Sequence, residues 1–149
     1  MPDGAAELDP TRLGALIALA VLSLGIGVFI CRQLVAHLRV LPPEAAWGLR
    51  PWSPWLLLVP GANLIMSFHV LLGISRTYTT AFAELGRELP ARDSGRNEAL
   101  VVGIGAALGV YPGPQLILGV IWMSVLLALT LYLFKLHSLR ERYLRIEKD

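Results

Sequence analysis

Two polar side chains inside a charge-free stretch are the first candidates for chemistry in this chain. Asn63 and His69 lie in the segment 51–75, which contains no Asp, Glu, Lys or Arg. Burying either side chain in hydrocarbon without a hydrogen-bonding partner costs a few kcal/mol, so we expect each to face another helix or water. On one α-helix the two residues would lie about 120° apart, so they do not predict a single compact site.

A proline–glycine pair directly precedes Asn63. Pro60 would remove one backbone hydrogen bond and clash with the preceding turn, so Pro60-Gly61 predicts a break in the helix. Asn63 is then placed to satisfy backbone groups that the break frees. The alternative is an unwound site along a solute or ion path, because transporters use interrupted helices in this way.

Metal, haem and catalytic chemistry are weakly indicated. His37 and His137 lie at the ends of other segments and form no H-x-x-x-H motif with His69, for which an interhelical hydrogen bond is expected. We therefore expect no metal and no cofactor. Residues 73–76 read Gly-Ile-Ser-Arg, but a rhomboid-type serine motif has glycine after the serine and needs a base on another helix. We predict that the protein is not an enzyme.

The distribution of charge indicates which elements position these residues. The 149-residue chain is 55% hydrophobic, its mean hydropathy is +0.60, and 13–31, 51–75 and 99–134 are free of charge. This segregation is typical of membrane spans joined by loops. The net charge of +2 and the absence of a massed basic patch argue against nucleic acid as a partner.

We predict an all-α fold, a single transmembrane domain over 1–149 that forms a bundle of four helices. A hydrocarbon core of about 30 Å requires about 20 helical residues. The spans cover about 13–33, 54–75, 97–111 and 115–134, and a cytoplasmic helical tail follows over 135–149. Span 2 is interrupted at Pro60-Gly61, and span 3 is short. If span 3 fails to cross, the chain has three spans and its ends lie on opposite sides.

The first span is expected to be retained, because the residues before it are acidic and no small-residue cleavage site follows it. With four spans, ten Lys and Arg residues share the side of the two termini and three lie opposite. The positive-inside rule then places both termini in the cytoplasm. We predict the bacterial cytoplasmic (inner) membrane as the location.

Packing and interface positions also follow from residue type. Span 3 contains two pairs of small residues spaced four apart, which allow helix backbones to approach closely: Gly103 with Ala107, and Gly105 with Gly109. Aromatic rings near the span ends are expected to anchor at headgroup level: Trp52, Trp55 and Tyr78.

Apolar stripes continue beyond spans 2 and 4. They comprise Tyr78, Phe82, Leu85 and Leu89 after Arg76, and Leu136, Leu139, Tyr143 and Ile146 after Lys135. We interpret both as spans that continue and pack on their neighbours. The alternative is a surface for headgroups or for a partner.

The chain from Leu41 to about Arg142 resembles a group of small bacterial four-helix integral membrane proteins. The likeness lies in "LPPE", "SPWLLLVPGANLIMSF", "ISRTY", "DSGR" and "LYLFKLHSL", which resemble a shared S-P-x-x-W, P-x-x-N-L and S-x-Y pattern. Pro60 to Leu64 match the second element, whereas Trp55 stands two residues early for the first and Tyr78 one residue late for the third. The resemblance implies four helices and a membrane address but no mechanism. It also suggests that Pro60, Asn63 and Tyr78 form a structural signature.

The sequence favours a multi-pass membrane protein of accessory or scaffolding function that packs with other membrane helices. Its expected partners are the lipid bilayer and either itself or another membrane protein. One alternative is a small oligomeric transporter or channel that uses the Pro60–Asn63 break and His69. A second is a regulator that acts through Leu139, Tyr143 and Ile146 of the tail.

Overall fold

A computed structural model describes residues 9–46, 48–59, 62–90, 92–110 and 112–146. Among these residues, 77% are helical and none forms a strand, which confirms the all-α class. The helices are α1 (Pro10–Leu38), α2 (Ala62–Glu84), α3 (Arg96–Leu108) and α4 (Gln115–Ile146), and a 3₁₀ helix (Ser53–Leu58) precedes α2.

The helix ends follow from local sequence. Asp9 caps α1 by accepting a hydrogen bond from the Thr11 amide at 3.0 Å, and Pro10 occupies the first turn, where its missing N–H is not needed. At the end of α2, Gly86 adopts a φ of 70°, and the Arg87 amide donates to the Phe82 carbonyl at 2.9 Å. This is a Schellman motif, which requires a residue that tolerates the left-handed region.

By length and composition, two of the described helices, α1 and α4, are able to cross a membrane. The charge-free part of α2, residues 62–75, is about 21 Å long, and α3, with 13 residues, is about 20 Å long. Both fall short of a hydrocarbon core of about 30 Å. The predicted four-span bundle is therefore not confirmed.

The 3₁₀ helix and α2 run in opposite directions. Pro54 accepts a hydrogen bond from the Cys31 thiol, whereas Leu58 packs at Gly27, one turn earlier in α1. The 3₁₀ helix thus runs antiparallel to α1. This segment and the start of α2 form a hairpin, whereas the sequence predicted one span over 54–75 that is interrupted at Pro60-Gly61.

Helix α2 returns parallel to α1. It begins at the level of Gly27, where Asn63 borders the same cavity, and reaches His37 of α1 through Tyr78. Pro60 and Gly61, which stand at the predicted break, lie outside the described residues.

Helix α3 runs against α2, and α4 runs parallel to α1 and α2. Glu98 at the start of α3 meets Lys135 of α4, whereas Gly109 after its end lies against Trp122. Since α1 and α4 run in the same direction, Pro10 and Ile146 lie at opposite ends of the bundle. This course differs from the prediction that both termini share one side.

The boundaries between charge-free and charged sequence coincide in depth. Along the bundle axis, the charged residues that border the charge-free segments lie within about one helical turn of one another: Arg32, Arg76, Glu98 and Lys135. Two contacts show this level, one between Glu98 and Lys135 and one between His37 and Tyr78. The charged end is the part of the bundle on the charged side of these four residues, together with the segments that connect α1 to the 3₁₀ helix and α2 to α3. We call the rest of the bundle the apolar end. Of the twelve described Lys and Arg residues, eleven belong to the charged end and only Arg12 lies at the opposite tip.

The tightest packing lies near and within the charged end. Five large side chains there are fully buried, with 0% exposure: Leu34, Ile74, Tyr78, Tyr132 and Leu136. In contrast, every residue of α1 from 10 to 26 is exposed. The rings of Phe82 and Tyr143 meet edge to face with centroids 6.1 Å apart, so the apolar stripe after Arg76 and the stripe after Lys135 pack on each other.

Candidate functional site at the membrane interface

The two polar residues predicted inside span 2 lie apart on α2, and both are exposed. His69 is about 10 Å along the helix from Arg76 and therefore belongs to the apolar end. It has no hydrogen bond or ion pair to any part of the chain that the structure describes. The structure therefore does not combine Asn63 and His69 into one site, as expected from their spacing.

Asn63 borders an apolar cavity of about 200 Å³ between all four helices and the 3₁₀ helix. Ser67 also lines this cavity, but its hydroxyl donates to the Leu64 carbonyl at 3.0 Å. The other lining residues have no side-chain oxygen or amide, among them Leu71, Val102 and Leu129. The cavity therefore offers little hydration to an ion and does not form a polar path.

Cys31 has a structural role that the sequence did not reveal. Its buried thiol donates to the Pro54 carbonyl at 3.1 Å. The 3₁₀ helix lies at the depth of charge-free sequence, where an unpaired backbone carbonyl is costly, so each such partner stabilises it. A lone cysteine in an apolar run carries no signal of this contact.

The glycines of α3 pack within the chain. A side chain at Gly103 would meet the ring of Phe68, one at Gly105 would meet Val125, and one at Gly109 would meet Trp122. These positions accept large side chains from α2 and α4. Ala107, the fourth predicted packing residue, is exposed.

The predicted aromatic anchors separate into two groups. Trp52 and Trp55 are 53% and 40% exposed and lie at the boundary of the charged end, where indole rings suit the headgroup region. Tyr78 is 0% exposed and belongs to the core. It cannot reach the headgroups from this position, because its hydroxyl bonds to His37.

His37 and Tyr78 form a buried polar pair. The ring Nδ1 of His37 lies 2.9 Å from the Tyr78 hydroxyl, and His37 is six residues beyond the charge-free segment 13–31. Burial, with the positive charges of Arg140 and His137, lowers the pKa of His37 to about 4. Burial raises the pKa of Tyr78 above its ordinary value. A neutral imidazole whose Nδ1 accepts a hydrogen bond from the Tyr78 hydroxyl fits both shifts, because both groups then stay uncharged.

A second cluster fixes the start of α3. Lys135 Nζ lies 2.6 Å from a Glu98 carboxylate oxygen and donates to the Arg92 carbonyl at 2.8 Å. Burial alone would raise the pKa of Glu98. The hydrogen bond and the charge of Lys135 lower this pKa by more than burial raises it, so the net shift is downward. Nearby, the Tyr132 hydroxyl donates to the Leu71 carbonyl at 2.6 Å. These contacts tie α2, α3 and α4 together at the charge boundary.

The charged end also contains a cavity of about 510 Å³. Its lining alternates cations with carboxylates: Arg87, Arg142 and Arg145 with Glu88, Asp93 and Glu141. The charges compensate one another, so this cavity prefers neither sign of ligand. In the described residues, no three His, Cys, Asp or Glu side chains group as metal ligands.

Comparisons with protein-family models, curated proteins and solved structures find no match to this chain. Within the part of the chain that the structure describes, the protein is all-helical, with two helices of membrane-spanning length and a packed, arginine-rich end.

Proposed function

We propose that the protein is an accessory or scaffolding component of the bacterial inner membrane, which packs its α2 surface against a helix of another membrane protein or of a second copy. The observation that carries this proposal is the exposure of His69 within the apolar end. An imidazole that faces lipid loses its hydrogen bonds to water, at a cost of a few kcal/mol. A helix that supplies a partner would remove this cost.

The surface around His69 is suited to helix packing. Ile65 is 76% exposed and Leu72 is partly exposed, and both lie on the His69 face of α2 at spacings of four and three residues. A neighbouring helix could cover these apolar side chains and hydrogen-bond to the imidazole at the same time. His69 does not line the cavity that Asn63 borders, so contacts within one chain do not explain why the His69 side chain is exposed.

The proposed topology follows the charge distribution. With the charged end in the cytoplasm, eleven of the twelve described Lys and Arg residues lie inside, a stronger bias than four spans would give. In this topology α1 and α4 cross the bilayer, the tip of α1 at Arg12 faces outward, and the α2 hairpin enters from the cytoplasmic side to partial depth.

The two other functions have less support. A regulator that acts through the tail needs Leu139 and Tyr143 at the surface, but they are 3% and 7% exposed because they pack within the chain. A transporter would need an oligomer to line a path, since His69 lies on the outer surface. It predicts a solute flux across vesicles containing the protein, which His69→Leu would abolish.

Site-specific photocrosslinking tests the proposed function. A photoreactive residue at position 69 should give one protein adduct of discrete mass in native membranes, identified as a second copy or as one recurring protein. The matched control is position 127 of α4. Leu127 is 64% exposed and lies at about the same depth in the proposed topology as His69. His69→Leu should weaken co-purification of the same protein. Adducts to lipid alone at both positions would contradict the proposal.

A further inference from the structure

The apolar cavity of about 200 Å³ between the helices is elongated along the bundle. On α2 it is lined by Asn63, Ser67 and Leu71, which share one face of the helix and span about 12 Å. On α4 its lining spans about 10 Å and consists of three residues: Trp122, Val125 and Leu129. A small volume distributed over this length has the proportions of a hydrocarbon chain and not those of a compact ring system.

One end of the cavity is closed and the other opens to the surface. Cys31, Leu71 and Val102 border the end nearer the charge boundary, and they are only 1%, 2% and 6% exposed. At the other end Asn63 is exposed and Trp122 is 46% exposed, so the cavity opens beside them. Each precedes the first charge that follows on its helix by thirteen residues, or about 20 Å. In the proposed topology the opening therefore faces hydrocarbon.

The lining favours an uncharged ligand with one polar atom. Among the described residues, no Lys, Arg, Asp or Glu borders the cavity, so a buried charge would stay uncompensated. The side chain of Asn63 makes no hydrogen bond within the described part of the chain, and its carboxamide can both donate and accept. Deeper in the cavity, the Ser67 hydroxyl and the Cys31 thiol already donate to backbone carbonyls, so the lining there offers apolar contact.

We propose that this cavity binds a single hydrocarbon chain that carries an uncharged oxygen at one end, as a hydroxyl or a carbonyl group. The chain lies between α2 and α4, and its oxygen hydrogen-bonds to Asn63 at the opening. Cavities lined by aliphatic side chains bind apolar molecules, and a few polar groups fix the orientation of the ligand. The site rests on the proposed topology but not on the helix contact at His69.

Photolabelling of the full chain in phosphatidylcholine nanodiscs tests the site. The probe is decanol with a diazirine in its chain, and it should label the residues that line the cavity in a saturable way. Unlabelled decanol and methyl octyl ketone, added as competitors, show which oxygen function is preferred. Decane has no oxygen and should compete about fivefold more weakly than the better of the two, because it cannot hydrogen-bond to Asn63.

Two neighbouring alanines of α3 supply a matched pair of variants. Ala106 borders the cavity, whereas Ala107 is exposed and does not line it. Ala106→Phe should abolish saturable labelling because the ring occupies the cavity. Ala107→Phe adds the same ring on the lipid side and should leave the labelling unchanged.

Asn63→Leu tests the polar contact even if Ala106→Phe fails to fold, because Asn63 lies at the surface. This variant should still be labelled, but decanol and decane should compete equally. Three results would overturn the proposal: labelling that does not saturate, equal labelling of folded Ala106→Phe and Ala107→Phe, or equal competition by all three compounds in the unsubstituted protein. None of them changes the crosslink expected at position 69, so the two proposals fail separately.

Discussion

The packing of the helices is stabilised differently at the two ends of this molecule. At the charged end, helices bury tyrosines and leucines against one another in a region bordered by arginines, and the hydrophobic effect operates there as in a soluble protein. At the apolar end, residues 10–26 of α1 are all exposed. Lipid is as apolar as leucine, so packing there gains little from burial and depends on close fit and on hydrogen bonds. Tertiary stability should therefore concentrate at the charged end.

The sharpest test compares two leucines of α4. Leu136 is 0% exposed and Leu127 is 64% exposed. Leu136→Ala should lower the free energy of unfolding by about 2–5 kcal/mol, because it leaves a cavity in the packed region. Leu127→Ala should change it by less than about 0.5 kcal/mol. Equilibrium unfolding in detergent measures both, and equal losses would remove the distinction between the two ends.

Glycine substitutions sharpen the comparison inside the apolar end. A Cβ at Gly103 would lie 2.6 Å from the Phe68 ring, whereas one at Gly119 meets nothing within 4 Å. Gly103→Val should destabilise the protein by about 1–3 kcal/mol through overpacking. Gly119→Val should be neutral or slightly stabilising, since valine has the higher helix propensity. A neutral Gly103→Val would show that α3 is not held against α2 at this depth.

Acid should act on the charged end through His37. Its pKa is about 4 in the folded protein and near 6.5 when exposed, so the unfolded chain binds more protons between these values. Stability should fall by about 1–3 kcal/mol as the pH drops from 6.5 to 4. His37→Gln should lack this part of the pH dependence, and unfolding titrations at several pH values would detect the difference. An identical pH profile in both proteins would exclude His37 as its source.

The smallest effect is expected at the surface of α4. His137 lies 3.4 Å from Glu141, but both side chains are about two-thirds exposed, at 65% and 60%. Solvent screens such a pair, so His137→Ala should change stability by less than about 0.5 kcal/mol. The same unfolding assay applies, and a loss as large as that of Leu136→Ala would mean that charge pairs, and not burial, stabilise this end.

Sequence alone predicted the helical class, the two long apolar helices and the packing of each apolar stripe on its neighbours. Each depends on local information: periodicity, length and the position of charges. It also separated Asn63 from His69 correctly, because the angle between two residues on one helix is fixed.

The direction of the chain could not be predicted in the same way. Hydropathy measures how apolar a segment is but not whether it continues or turns back, so 54–75 was interpreted as one span. That interpretation places His37 and Tyr78 at opposite ends of span 2, whereas the structure brings them into hydrogen-bonding contact. Leu41, Ala45 and Leu49 were assigned to a connection, yet all three are buried at 5% exposure or less. These contacts join residues distant in sequence.

The bond between Cys31 and the Pro54 carbonyl bears on how the protein is made. The segment 53–58 is too short for the insertion machinery to recognise as a span, and its 3₁₀ backbone needs protein around it at that depth. The cavity beside this segment is also lined by α4, which follows it in the chain. We therefore expect the 3₁₀ segment to reach its final position only after the helices that surround it have formed.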